Sequence, residues 1–306
     1  MARGDLSDVE WELVEPFLPL GGRGPVPDLR RLFNAVMWRF RTGRPWRDVP
    51  QEYGSWSTVY GAFQRWAAAG TFRMLMGGMI AEAAARDQVA LDLVSVDSTV
   101  ARAHHHAAGM AVDPELLDEL EKAVAEEKGL IERGKAHRWL RRTRTATTWC
   151  VRTTKTHLAA ERRCRRLSFV LTPGQDADSP RFVPVLEGIK VRGPVGRPRT
   201  RPGAVAADKT HSSRANRAYL RRRRIRCVIP EKADQVANRK KKGSRGGRPV
   251  AHDPDLYKDR NTVERCINKI KEWRGLATRY DKTATGYLAG LHLRGAVIWI
   301  RSLRPT

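Results

Sequence analysis

Four residues near the C-terminus, Tyr257, Arg260, Glu264 and Lys271 of YKDRNTVERCINKIK, set a carboxylate among cations. At about 100° per residue they fall at roughly 0°, 300°, 340° and 320°, so one narrow helical stripe holds all four. Val263, Ile267, Ile270 and Trp273 repeat at the spacing of a buried helix face, which places the charged stripe along the edge of a core. Two readings fit: a surface i,i+4 pair between Arg260 and Glu264, or a catalytic carboxylate whose neighbours Arg260 and Lys271 hold phosphates. The second requires other carboxylates that converge on Glu264.

Asp97 and Asp208 are the candidates. ALDLVSVD and AVAAD are short apolar runs that stop at a carboxylate, the pattern of buried strands with Asp97 and Asp208 at their ends. Sheets with parallel strands place functional groups outside the carboxyl ends of those strands. Three carboxylates in a cation-rich chain could form an all-oxygen Mg²⁺ site. Two ions about 3.5–4 Å apart would stabilise both oxygens of an in-line displacement at phosphorus. Buried caps and surface pairs are the structural alternatives.

The elements that must position these groups are legible in outline. Ser7 and Glu10 form a capping box that opens an amphipathic helix carrying Trp11, Val14 and Leu18. A second helix runs from Leu29 to Gly43. After it, GRPWRDVPQEYGSWSTVYGAFQRW reads as a short helix, a turn at Gly54 and a helix from Ser57 to about residue 68. That is the outline of a helix-turn-helix whose second helix presents Thr58, Gln64 and Arg65 beside the core positions Val59, Phe63 and Trp66; a plain helical bundle fits equally well. Gly77 and Gly78 loosen the chain. RLSFVLT is a strand, and DSPRFVPVLEGIKV is a helix with Asp178 or Ser179 as cap and Pro180 in its first turn. A helix capped by Ser212 or Ser213 runs into RRRRIR, the strand CVIP follows, and an apolar helix from Gly286 to about residue 302 closes the fold. Strand, helix and strand recur, which predicts an α/β sheet that is partly parallel.

The 306 residues carry a net charge of +25. Residues 1–90 hold 11 Arg, no Lys and 10 acids, a balance of +1, so +24 falls in residues 91–306. Such a field attracts polyanions. Its runs are RRCRR at 162–166, RRRRIR at 221–226 with Arg221, Arg222 and Arg223, and NRKKKGSRGGR at 238–248 with Arg239, Lys240 and Lys241. The last, rich in glycine, reads as a mobile basic loop, and the three together as a phosphate-binding surface. The four cysteines lack zinc-ligand spacing and are expected to be reduced. His104, His105 and His106 do not read as metal ligands, because adjacent residues of one regular element cannot all face one ion; phosphate or solvent contact is expected there. The absence of a long apolar stretch or a leader pattern predicts a cytoplasmic, nucleoid-associated protein.

The spacing Tyr257-x2-Arg260-x3-Glu264-x6-Lys271 resembles the Y-R-E-K signature of DDE transposases of bacterial insertion sequences, in the group named for insertion sequence five. SVDSTVARAH and AADKTHSSR resemble that group's two aspartate motifs, GLATRYDKT follows as the family has it, and WRDVP with WSTVYGAFQRW resembles its helical DNA-binding module. The resemblance covers nearly the whole chain. It implies a ribonuclease-H-like mixed sheet with flanking helices over residues 89–306, preceded by an all-α helix-turn-helix-like domain over residues 1–88. It implies metal-dependent hydrolysis at transposon ends and strand transfer into target DNA. Asp97, Asp208 and Glu264 would ligate two Mg²⁺ or Mn²⁺ ions. The partners would be double-stranded DNA, at terminal inverted repeats and target, and a second copy of the chain or a larger assembly. One stretch departs from the pattern: an insertion at about 104–154 holds an acidic helix at 113–128, and residues 131–154 do not follow the family. A non-transposing two-metal nuclease and an inactive DNA-binding remnant are the rival readings.

Overall fold

The computed structural model describes residues 4–19, 28–108, 152–246, 248–250 and 253–303. The acidic helix expected at 113–128, and residues 131–151 of the divergent stretch, lie outside the described residues.

Ser7 accepts the Glu10 N–H and Glu10 accepts the Ser7 N–H, opening α1 (Asp8–Glu12). The chain then passes into a 3-10 turn at Glu15–Phe17 with Pro16 near its start, so the expected single helix is two pieces; Val14 and Leu18 are buried all the same. Asp28 caps α2 (Leu29–Thr42), and Gly43 ends it in the left-handed region at φ 71°, where a Cβ is disfavoured. Two 3-10 turns, Trp46–Asp48 and Gln51–Tyr53, lead to α3 (Trp56–Ala68) and α4 (Thr71–Ala85). Gly77 and Gly78 do not loosen the chain. Both lie within α4, and a Cβ on Gly78 would come 2.1 Å from the Phe17 ring, so the missing side chain makes room for an aromatic one.

The sheet begins with β1 (Leu93–Ala103), followed by a helical turn α5 (His105–Ala108) and the strands β2 (Thr153–Glu161) and β3 (Arg165–Pro173). Then come α6 (Phe182–Glu187), β4 (Ala204–Ala207), α7 (Arg214–Arg222) and β5 (Arg226–Val228). The chain finishes with α8 (Ala233–Lys241), α9 (Pro254–Lys258), α10 (Asn261–Lys271), α11 (Arg274–Ala277), β6 (Thr278–Arg279) and α12 (Ala284–Ile300). Strand order is β3-β2-β1-β4-β5, with β6 on the far end of β1. β1, β2 and β3 pair antiparallel, whereas β1–β4, β4–β5 and β1–β6 are parallel. A helical N-terminal region followed by this mixed sheet and its flanking helices is the ribonuclease-H-like arrangement expected from the sequence.

β1 extends well past the expected end. Its pairing with β4 stops at Val96↔Ala207, but β2 continues alongside to Arg102↔Thr153. Asp97 therefore ends the parallel pairing, not the strand.

The N-terminal helices and the sheet share one apolar core. Phe33, Phe40 and Phe63 of α2 and α3 join Val94, Leu158 and Trp299 in it, and a buried ion pair, Arg39 to Asp281 at 3.0 Å, ties α2 to the segment before α12. Among the described residues no helix is long and apolar enough to cross a membrane.

Two neighbouring arginines on β3 meet opposite fates. Arg165 lies over the Trp299 ring at 3.9 Å and donates to Glu161 at 2.9 Å, so its buried charge is compensated. All three Arg166 nitrogens are buried without a hydrogen-bond partner, and burial pushes that guanidinium down to about 10. It occupies the space over Gly295, where a Cβ would lie 2.6 Å from Arg166 Nε. Arg166→Met keeps the volume and removes the uncompensated polar group; stability in thermal unfolding should rise by about 1–3 kcal/mol. His157 and His292 supply an acid-side weakness. Burial lowers them to about 4 and about 3, so between those values and the unfolded histidine value of about 6.5 the unfolded chain binds more protons. Their contribution is complete above about pH 6.5 and is lost as pH falls through the folded values. Unfolding curves from pH 7.5 to 4.5 should show a falling midpoint, with a shallower fall in His292→Leu.

Candidate active site

The parallel register decides where the carboxylates meet. Val96 and Ala207 are paired on β1 and β4, so the next residues, Asp97 and Asp208, stand side by side as the strands part. Neighbouring strands lie about 4.8 Å apart, close enough for the Asp208 charge to push the Asp97 carboxyl upward.

α10 brings the third. Val263, Ile267, Ile270 and Trp273 are buried, as the apolar spacing predicts, together with Cys266, and α10 packs on β1 and β2. Glu264 stays on the exposed edge of the helix with 48% of its side chain accessible. Arg260, at the N-terminus of α10, joins the two acids: one guanidinium nitrogen donates to Asp97 Oδ2 at 2.9 Å and the other to Glu264 Oε1 at 2.6 Å. The i,i+4 pair of the bland reading thus exists, and its arginine also reaches the strand.

The two aspartates are held differently. Burial raises Asp97 above its usual range and Asp208 adds to the effect, against the Ser98 N–H and Arg260, which favour the charged form. Burial also pushes Asp208 upward, but hydrogen bonds from His211 and Thr210 win and bring it to about 2. His211 is buried with Nδ1 2.8 Å from Asp208 Oδ1. Asp208 is therefore a fixed anion beside a more readily protonated partner.

Behind Asp97 lies a group that the sequence pattern did not single out. The Ser98 hydroxyl donates to Asp178 Oδ1 at 2.7 Å, and Lys155 Nζ and His157 Nδ1 lie 3.2 and 3.4 Å from the same oxygen. Asp178 stands at the N-cap position of a 3-10 turn, Ser179–Arg181, as expected, but makes no side-chain cap bond there and gives its carboxylate to this cluster. Ser98↔His157 and Val100↔Lys155 are register pairs of β1 and β2, so the alternation of Lys155 and His157 along β2 was the available signal; Asp178 comes from a distant loop and left none.

The other expected site residues are scattered. Tyr257 is on α9, a separate short helix, with its ring 6.0 Å from the Arg260 guanidinium carbon. Lys271, at the opposite end of α10, points Nζ at the Val100 carbonyl at 3.5 Å. Arg65 lies on the exposed side of α3 with Thr58 and Gln64, opposite the buried Val59, Phe63 and Trp66. Arg221 and Arg222 are exposed at the end of α7, and Arg223 donates to Thr200 at 3.2 Å. The expected basic loop is instead the end of α8 and a 3-10 turn at Gly243–Gly246, with Lys240 and Lys241 exposed and Arg239 paired to Glu231 at 2.9 Å. The run RRCRR offers far less than a phosphate surface: Arg165 and Arg166 are buried, Arg162 bridges Asp92 and Asp259 at 2.5 and 2.9 Å, and Arg163 is exposed.

Asp97 and Glu264 share the Arg260 guanidinium and Asp208 follows the strand beside Asp97, so the candidate site offers oxygen donors, the ligand type of a hard divalent cation such as Mg²⁺ or Mn²⁺.

The chain resembles known proteins in both of its parts. Residues 6–76 match a family described as "Putative transposase of IS4/5 family". The chain is 30% identical over 149 residues, 49% of its length and 99% of the relative's, to a protein of Brucella ovis named "Putative transposase for insertion sequence element IS6501". It is 35% identical over 107 residues to the protein y4sN of Sinorhizobium fredii, covering 34% of this chain and 81% of that one. Over 113 residues it is 34% identical to a 16.2 kDa protein of insertion element IS402 from Burkholderia cepacia, covering 34% and 76%. No solved structure matches. Residues 90–288, which hold Asp97, Asp208 and Glu264, match the "Transposase DDE domain", and the chain belongs to that family of transposases.

Proposed function

We propose that the chain cuts the ends of its own insertion element and joins them to target DNA, using the corner formed by Asp97, Asp208 and Glu264. The observation that supports this most strongly is the parallel register of β1 and β4, which sets the two aspartates on neighbouring strands, with Asp97 joined through Arg260 to Glu264. Two Mg²⁺ or Mn²⁺ ions held by the three carboxylates would supply Lewis acidity at the attacking and leaving oxygens. In the first displacement a water oxygen bonds to phosphorus and the bond to the element's 3′ oxygen breaks, leaving a 3′-hydroxyl. In the second that hydroxyl loses its proton, bonds to a target phosphorus and expels a target 3′ oxygen.

The protein's own groups have separable parts in this scheme. Asp208, held at about 2, is ionised throughout the working range. Arg260 screens the acids until a cation replaces it and then turns to a DNA phosphate, with Lys271 holding a second phosphate further along α10. Residues 1–88 bind the terminal inverted repeat, with Arg65, Gln64 and Thr58 on the exposed side of α3 facing DNA. Residues 89–306 form the catalytic unit, where Arg221, Arg222, Lys240 and Lys241 grip the backbone and give an affinity that falls with salt. Two copies or more hold the two ends together.

A labelled terminal-repeat duplex in Mg²⁺ tests the reading. Wild type should cleave and join, while Asp97→Asn and Glu264→Gln should lose both by about 10³-fold or more and still bind the repeat. Lys271→Ala should lower joining by about tenfold or more with an unchanged melting temperature. Cleavage with no preference for the repeat and no joining would identify a nuclease instead.

A further inference from the structure

The histidine run at the end of β1 is not arranged as its sequence suggests. His104 follows the last residue of the strand, and His105 and His106 open α5, so the three belong to a strand end and a helical turn instead of one regular element. The turn closes with the Ala107 N–H donating to the His104 carbonyl at 2.8 Å. The His104 N–H donates to the Arg279 carbonyl at 2.9 Å, and its ring packs against Tyr280 at 5.0 Å, which fixes it at the edge of the sheet. The consequence is an imidazole cluster: ring centroids lie 4.1 Å apart for His104–His105, 3.8 Å for His105–His106 and 5.2 Å for His104–His106. One ring nitrogen from each lies within 4.8 Å of the others. Among the described residues no carboxylate pairs with any of the three.

We propose that His104, His105 and His106 bind one transition-metal ion of the Zn²⁺ class. Zinc–imidazole bonds of about 2.0–2.1 Å in a tetrahedral shell need nitrogens about 3.4 Å apart. Closing the observed spread to that distance takes χ rotations of His105 and His106, both of which are exposed. Three imidazoles and no carboxylate select a borderline ion over Mg²⁺, which takes oxygen ligands. Water or another ligand fills the fourth position. The site is separate from the carboxylate corner: Asp97 lies seven residues back along β1, about 23 Å at the usual strand rise. Because His104 is bonded to the β6 end at Arg279, the ion clamps the junction where Ala103 pairs with Arg279. The inference stands independently of the transposition chemistry.

The test is isothermal titration of the untagged full-length chain with ZnCl₂ in millimolar Mg²⁺, together with thermal unfolding. Wild type should bind one equivalent at micromolar or tighter affinity and melt higher with zinc. The double variant His105→Ala/His106→Ala, with an unchanged circular dichroism spectrum, should bind about 100-fold more weakly or not at all. Asp97→Asn/Glu264→Gln should bind as wild type does. Three results would overturn the proposal: no binding by wild type up to about 100 μM, equal binding by the histidine double variant, or loss of binding in the carboxylate variant. A Co²⁺ titration adds a spectroscopic readout, since a tetrahedral nitrogen-ligated ion gives an intense visible band that the histidine variant should lack.

Discussion

Like charges resist being gathered, and the candidate site depends on how Asp97 is compensated between Asp208 on the neighbouring strand and the Arg260 that it shares with Glu264. The parallel pairing of β1 and β4, in register at Val96↔Ala207, makes Asp97 and Asp208 the next residues on neighbouring strands, near enough for each charge to act on the other. Each acid then has its own compensation. Asp208 takes hydrogen bonds from buried His211 and from Thr210. Asp97 takes the Ser98 N–H and the Arg260 guanidinium, and remains above the usual range because burial and Asp208 outweigh them.

Arg260 is placed by a helix whose position is set elsewhere. The buried face of α10 packs on β1 and β2, and its far end meets α12 through Arg294, whose nitrogens donate to the Lys269 carbonyl at 2.9 and 2.6 Å. α12 in turn packs against α4 and shares a core with the aromatic cluster of Phe33, Phe40, Phe63 and Phe72. Apolar packing thus runs without a break from the N-terminal helices to the helix that carries Glu264.

The strongly positive composition divides into cations with different uses. Arg39, Arg165, Arg166 and Arg294 are buried, and Arg162 and Arg239 are committed to ion pairs. Others face solvent at the ends of α7 and α8, on α3, and in the segments before β4 and after α8, where Arg192, Arg197, Arg199, Arg201 and Arg245 are exposed. A charge run in sequence therefore overstates the field at the surface: Arg165 and Arg166 are consecutive on β3, point to opposite faces and are both buried, because this strand is covered on both sides.

The sequence by itself determined the elements whose signals are local. The capping box at Ser7, the Gly43 stop, the apolar face of α10 and the apolar runs before Asp97 and Asp208 each depend on neighbours within a few residues, so spacing sufficed. Resemblance then carried the family. Only the tertiary structure decided that Asp97 lies inside a long strand, since an antiparallel partner more than 50 residues away extends it. The same holds for Asp178, drawn from a loop to Ser98, and for Gly78, whose vacant position is filled by Phe17. It turned Arg165 and Arg166 inward and folded three adjacent histidines around a corner into one cluster. These are contacts between segments distant in sequence, or changes of backbone direction, and periodicity along a single segment contains no term for either.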